Sequence, residues 1–486
     1  MSTTSSSADN GSSSQEKGDK PKAHRVSGWD FATWRSASDA QMLRSTMMAV
    51  YVLDRAPDWD RLVSRYDRAT RLSPVLRMKM VEGPVAIANP RLVVDEHFDL
   101  SFHMSRFSMP EGSTWKDVLD EARREAMMDF DRNRSLWHVT VLEGLPGGKA
   151  VLLFKLHHAI ADGQKGMEIG AALIDLTEEE TDLGPMPDAP EAGDLSSKRD
   201  FGRTMIQDNA EWVAKTATRV AKGAVPATVQ AIKSPVETAG KVGGAAKSLA
   251  KFTQQPSAPA SPIMTKRSVN YHFGAFEFPF QDLRGAAKAG GHTVNDAFLA
   301  AVAEGMRRYH DAHNAPVEAL HISMPISTRK PGGGGGNAVG IAHFDLKLST
   351  PNAETAMDEI HEIVQKWRQE PVIGMSNQLG EVSRFLPTDM VLSAATSSDV
   401  TASNVPGPPL ELWIAGAKIE HMVPFPPLIG AAVFVAMLTY DKQAAIGLSM
   451  DDAAVPDRDE LLRCMAEGFS SVTGKPIEVG GFLSEE

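Results

Sequence analysis

The stretch from Leu136 to Leu176 constrains the fold more than any other. "LWHVTVLEGL" (136–145) alternates apolar and polar residues, "PGGK" marks a tight turn, and "AVLLFKL" (150–156) is a nearly continuous apolar run. That pattern predicts a β-hairpin whose second strand is buried. "HHAIADG" (157–163) follows at once, and "GMEIGAALIDL" (166–176) then has helical spacing. A hairpin feeding a helix through a short polar loop argues an α/β unit. The loop is also a place where side chains can be offered to a ligand.

The same reading extends to both sides. "WDRLVSRYDRATRL" (59–72) has helical spacing, and "STWKDVLDEARREAMMDFD" (113–131) opens on a Ser/Thr cap with early acids, as a helix start should. These place one α/β unit over residues 28–190. A second α/β unit covers 266–486. Its strand candidates are "NYHFGAFEF", "ALHISMPI", "NAVGIAHFDLKL", "LWIAGAKIEHMV", "AAVFVAMLTY" and "KQAAIGLSMD". Its helix candidates are "TVNDAFLAAVAEGMRRYHDAH", "AETAMDEIHEIVQKWRQE" and "DRDELLRCMAEGFSSV".

Between the units, residues 191–265 form a linker of different composition. From 201 to 252 there are eight Lys/Arg against three acids, in a chain of net charge -12. Met205, Ile206, Trp212, Val213 and Val220 fall on one helical stripe. A basic amphipathic stretch can lie on an anionic lipid surface, or can pack between domains with its lysines in water. Residues 1–27 are Ser-, Gly- and Lys-rich without an apolar segment, and are expected to be a disordered tail rather than a secretory signal.

Composition excludes several classes. The acidic balance argues against a nucleic-acid partner, since phosphate binding needs concentrated Lys and Arg. The lone Cys464 cannot form an intramolecular disulfide and sits in an amphipathic helix, where core packing is expected. No apolar run is long enough to span a bilayer, so a cytoplasmic, soluble or peripheral protein is expected. "PGGGGGN" (331–337) lacks the Lys-Ser/Thr of a phosphate-binding loop. "HEIVQ" at 361 lacks the second His of a zinc protease helix, and "GLSMD" (447–451) lacks the last Gly of a nucleophile elbow.

The histidine motif remains. A neutral imidazole can take a proton from an alcohol and return it to a leaving group, provided its orientation is fixed. A rigid strand end supplies position, Asp162 can hold the loop through a charged hydrogen bond, and Gly163 permits a tight turn. Adjacent strand residues point to opposite faces, so His157 and His158 are poorly placed to share a metal. The same alternation suggests that one histidine faces a site and the other packs.

"HHAIADG" resembles the signature of the acyl-CoA-dependent acyltransferases related to chloramphenicol acetyltransferase and to peptide-synthetase condensation domains. "DRNRSLWHVTVLEGL" (131–145), "TVNDAFLA" (293–300), "MPISTR" with "GN" (324–337), "SNVPGPP" (403–409) and "GLSMDDAAVPD" (447–457) are similar to segments of the wax ester synthase/diacylglycerol acyltransferase family. The resemblance covers about residues 36–472. Ser135 and His138 depart from it, standing where the family usually has Pro and Glu.

The resemblance implies two chloramphenicol-acetyltransferase-like domains, each a mixed β-sheet with flanking helices, joined by a partly helical linker. It places the active site at their interface. It implies His158 as general base, His157 in support, and Asp162 as a structural residue paired with Arg71 or Arg77 of "RLSPVLR". Asn295 is a candidate to hold an oxyanion, and equally a candidate helix N-cap; Trp137 is expected in the core. No bound cofactor is implied: acyl-CoA is a co-substrate and a lipid alcohol the acceptor, with segment 201–252 able to face a membrane or lipid droplet. The leading expectation is therefore an O-acyltransferase making triacylglycerol or wax ester. Its rivals are a carrier-protein-dependent condensation-type transacylase and a non-catalytic lipid-surface protein.

Overall fold

The computed structural model describes residues 24–26, 28–82, 90–160, 169–191, 258–327, 339–370 and 388–483. The strands are β1 (His24–Arg25), β2 (Thr46–Leu53), β3 (Met78–Val81), β4 (Arg91–Val94), β5 (Met104–Ser108), β6 (Trp137–Glu143), β7 (Ala150–His157), β8 (Tyr271–Pro279), β9 (Ala319–Ser327), β10 (Val339–Lys347), β11 (Val400–Val405), β12 (Trp413–Ile414), β13 (Ala417–Phe425), β14 (Val433–Tyr440) and β15 (Gln443–Asp451). The helices are α1 (Gly28–Asp39), α2 (Trp59–Leu72), α3 (Leu100–His103), α4 (Trp115–Met127), α5 (Phe280–Ala289), α6 (Val294–Ala312), α7 (Ala353–Arg368), α8 (Thr388–Thr396) and α9 (Arg458–Thr473).

Among the described residues the strands form two six-stranded sheets and a small three-stranded one. The first large sheet has the order β12-β13-β2-β7-β6-β5 and the second β10-β9-β11-β14-β15-β8. Both are mixed: β5 runs parallel to β6, and β11 parallel to β9 and β14, while their other pairings are antiparallel. The expected α/β class with mixed sheets and flanking helices is therefore present.

Local signals account for the helices around the first sheet. Asp58 caps α2, its carboxylate accepting the Arg61 N–H at 2.9 Å. Leu62, Tyr66 and Ala69 then recur on one buried face. A capping box between Thr114 and Asp117 starts α4, which buries Val118, Leu119, Ala122 and Ala126.

The second unit does not keep its strands to itself, which corrects the reading of "LWIAGAKIEHMV" as one strand inside 266–486. The backbone reverses at Ala415 (φ 47°) and Gly416 (φ 83°), splitting the stretch into β12 and β13. β13 then pairs with β2, Phe425 opposite Met48 and Ile419 opposite Leu53, and so completes the first sheet. Ile419 and Met422 enter the first sheet's core. Val423 and Phe425 enter a core shared by both sheets, together with Val50, Leu153, Phe273 and Ala445.

The last stretch of the first unit is strapped onto α2. Asp175 makes an antiparallel bridge with Trp413, and its buried carboxylate takes Arg61 and Arg65 at 2.6 and 2.5 Å. Arg68 donates to the carbonyls of Leu183, Gly184 and Pro185, and Arg71 to that of Pro187. The basic segment 201–252 lies outside the described residues, as does the five-glycine run.

Candidate active site

β7 is buried along its whole length and ends on the first histidine of the pair, His157. The His157 N–H donates to Leu136 O (3.0 Å) on the β6 side. The His158 N–H donates to Ser45 O (2.9 Å) on the β2 side. The strand end is thus fixed from both neighbours. The chain then turns: Ile160 N–H donates to His157 O (3.1 Å), and Ala159 N–H to His157 Nδ1 (3.1 Å). His157 is 6% exposed, whereas His158 is half-buried. The two histidines thus differ in burial, with His158 lying in the turn one residue past the end of the strand.

His157 sits in an aromatic box. Trp34 of α1 meets its ring at 5.6 Å and 68°, and Phe130 at 5.9 Å and 73°. Each of these rings carries a cation: the Arg132 guanidinium lies 5.0 Å from the Trp34 centroid, and Lys155 Nζ 4.4 Å from that of Phe130. Burial first, then the neighbouring His158, Arg132 and Lys155, push the His157 imidazole down to about 3. A recess of about 30 Å³ beside the ring is bounded by Trp34, Arg44, Thr46, Phe130, Arg132 and His157. It is too small for an acyl chain.

Lys155 lies two residues before His157 and is itself buried. Its Nζ donates to Met128 O at 2.6 Å, and burial pushes it down to about 8. Opposite it in the β6–β7 register stands His138, pushed down to about 4 by burial and by the Lys155 charge. Thr140 Oγ1 donates to Glu125 at 2.5 Å and lies 3.3 Å from His138 Nδ1. Burial raises the Glu125 carboxyl.

The other residues singled out from the sequence occupy distinct places. Arg71 and Arg77 converge on one carboxylate, Asp67: Arg71 Nε reaches it at 3.0 Å, and Arg77 forms an ion pair with it while donating to Thr70 Oγ1 at 2.8 Å. Asp162 and Gly163 lie outside the described residues, and with them the pairing of Asp162 to either arginine. Trp137 is buried in the core, stacked on His103 and Tyr66, with its indole N–H on Leu76 O at 2.8 Å.

Asn295 is not the N-cap of α6, which corrects one of its two readings. Thr293 caps the helix in a box with Asp296, and Asn295 is the second helical residue. Its amide Nδ2 points to Met324 Sδ at 3.7 Å, on β9.

The second sheet repeats the local plan of the motif. The β14–β15 hairpin ends on Asp451–Asp452, turns, and enters α9. Asp451 Oδ1 accepts the N–H groups of Ala453 (2.9 Å) and Ala454 (3.0 Å). His157 Nδ1 accepts in the same way, from two residues on. At the second position of that pair, Asp452 is bound by His272 Nδ1.

Sequence reasoning did not single out Lys155, Arg132, Phe130 or Trp34. Lys155 left a visible signal, a charge inside the apolar run "VLLFKL". The other three come from separate segments, and only the fold brings them together.

The half-buried His158 imidazole follows a rigid strand end within a two-sheet mixed α/β scaffold, a placement from which a proton can be exchanged with a bound hydroxyl. Residues 26–298 match the family model described as the wax ester synthase/diacylglycerol acyltransferase catalytic domain, and residues 335–473 match the WS/DGAT C-terminal domain. A protein of Mycobacterium tuberculosis strain H37Rv named "Putative diacyglycerol O-acyltransferase Rv2484c" is 32% identical over 94% of this chain and 93% of its own. The "O-acyltransferase WSD" of Acinetobacter baylyi is 25% identical over 78% of this chain and 82% of its own. The fold is similar to that of the wax ester synthase/diacylglycerol acyltransferase from Marinobacter aquaeolei VT8 (TM-score 0.59, 22% identity, 89% of this chain and 95% of that one). It is also similar to the first condensation domain of the calcium-dependent antibiotic synthetase (TM-score 0.57, 13% identity, 95% and 100%). The chain belongs to the wax ester synthase/diacylglycerol acyltransferase family.

Proposed function

We propose that this protein transfers an acyl group from acyl-CoA to the hydroxyl of a lipid alcohol, forming triacylglycerol from diacylglycerol, wax ester from fatty alcohol, or both. The observation that carries the reading is the divergence of the histidine pair. His157 is buried and engaged with its own turn, whereas His158, the next residue, keeps partial exposure. In this reading His158 takes the proton of the acceptor hydroxyl as its oxygen attacks the thioester carbonyl. The C–S bond then breaks, and the proton passes to the departing CoA sulfur. No covalent acyl-enzyme is required. Asn295, released from capping by Thr293, is assigned to the oxyanion. Asp162, with Gly163, is assigned to holding the motif loop.

We assign the two large sheets to two chloramphenicol-acetyltransferase-like domains. Support comes from the matched units β6–β7 and β14–β15, each a hairpin ending on a polar pair and a turn. The basic segment 201–252 is assigned to a membrane or lipid-droplet surface, with the protein peripheral and cytoplasmic. Among the described residues no helix is long and apolar enough to cross a membrane. The test is a matrix of acyl-CoA chain lengths against diacylglycerols and fatty alcohols, read by product mass. Ester formation supports the reading, and no ester with any pair defeats it.

A further inference from the structure

We infer that Lys155 and Arg132 are positioning residues for this site: through Phe130 and Trp34 they hold the His157 ring so that its Nδ1 accepts the Ala159 N–H, and this fixes the turn that presents His158. The inference rests on the reading of His158 as base.

The argument begins with one hydrogen bond. A backbone N–H can only donate, so His157 Nδ1 must be an acceptor, 3.1 Å from Ala159 N. The neutral ring therefore carries its proton on Nε2. Protonation, or the other tautomer, puts a hydrogen on Nδ1 and breaks the contact. The turn then loses a bond one residue after His158.

Two devices keep the ring in that state. The first is shape: Trp34 and Phe130 meet it edge-on, and each is backed by a cation near its centroid, Arg132 at 5.0 Å and Lys155 at 4.4 Å. Lys155 is tied to Met128 O at the end of α4, and Arg132 shares Glu82 with the Trp34 indole N–H. The second is charge. Arg132, Lys155 and His158 face His157 and oppose its protonation, while Glu125, Asp129 and Arg44 act on Lys155. Lys155 is also the one charged side chain along β7, on a strand otherwise apolar up to the histidines. A lysine costs more to bury there than a leucine, and its place beside the box gives that burial a use.

The experiment uses the full chain labelled with ¹⁵N-histidine. The His157 signals are identified by their absence in His157→Asn. Wild type is compared with Lys155→Met, Arg132→Gln and the double variant. The wild-type ring should report the Nε2–H tautomer and stay neutral throughout the range in which histidine ordinarily titrates. In the double variant a mixed tautomer should appear, and the titration should move up toward the ordinary histidine value of about 6.5, with burial and His158 still holding it below. In the same variant kcat should fall about tenfold at about pH 6 and less near pH 8, with KM nearly unchanged, because less of the His157 ring then carries a hydrogen on Nδ1. An unchanged His157 tautomer and titration overturns the inference, and so does an equal loss of kcat at both pH values, the mark of general damage. If Lys155→Met does not fold, Arg132→Gln carries the test, since that side chain is 52% exposed. If the wild-type protein forms no ester, the reading of His158 fails, and the tautomer signals alone still support or overturn the hold on His157.

Discussion

His157 and Asp451 hold matching hydrogen bonds in the two halves of the molecule. Each is the last residue of a hairpin's second strand, and each side chain accepts the backbone N–H two residues on, at 3.1 Å from Ala159 and 2.9 Å from Ala453. An aspartate in this place makes an ordinary side-chain turn. An imidazole does the same only when neutral and in one tautomer.

This equivalence predicts the order of two substitutions. His157→Asn keeps an acceptor for Ala159 N–H, whereas His157→Leu leaves a buried donor unsatisfied. The leucine variant should be less stable than the asparagine variant by about 1–3 kcal/mol. Urea unfolding of both, followed by circular dichroism, checks it. Equal stability would mean that the Nδ1 contact contributes nothing.

Acid should unfold the protein progressively. His157 and His138 are neutral in the fold, at about 3 and about 4, against 6.5 in the unfolded chain. Between those values the unfolded chain binds more protons, so stability is full above 6.5 and falls as pH drops. Each ring removes about 1.4 kcal/mol per pH unit until its folded value is reached. The raised carboxyls of Glu125 and Asp451 work in the opposite sense as pH falls toward the ordinary carboxyl range and soften the slope. Chemical denaturation at a series of pH values measures it, and removing His138 as His138→Gln should flatten the curve.

The strap on α2 should matter more than the surface charges do. Asp175 is 1% exposed and holds both Arg61 and Arg65. Asp175→Ala strands two guanidinium groups and should remove about 3–5 kcal/mol. Lys366→Ala, from a pair more than 70% exposed on both sides, should change stability by less than about 0.5 kcal/mol. Midpoints of denaturant unfolding compare them directly.

The crossing of the two sheets leaves no room at Gly447. A Cβ built there would stand 1.8 Å from Pro424 O, because β15 passes directly beneath β13. Gly447→Ala must push β13 away from β15 and should cost several kcal/mol, enough to lower soluble yield. Gly170→Ala, with open space around it, should be close to neutral. Expression and thermal melting of the two variants give the comparison.

The parts of this architecture that local pattern could reveal were those with strong local signals. The hairpin β6–β7 and the capped helices α2, α4 and α6 follow from alternation and capping residues. The central strand β2 did not declare itself. "TMMAVYVL" is a short apolar run without a turn signal before it, and periodicity does not separate such a run from a buried helix segment. The transfer of β13 to the first sheet was also hidden, since no local rule states which sheet a strand joins. Around the site, Trp34, Phe130 and Arg132 meet His157 only because α1 and the end of α4 fold over the end of β7. Asn295 looked equally suited to capping until Thr293, two residues earlier, was seen to close the box with Asp296.

The central claim is that His158 performs the proton transfer. Its most direct measurement is the initial rate of ester formation from acyl-CoA and a lipid alcohol by purified His158→Ala, with folding confirmed by circular dichroism. The account predicts a fall in kcat of about 10²–10⁴-fold with unfolding behaviour unchanged. A variant that retains the wild-type rate would contradict it.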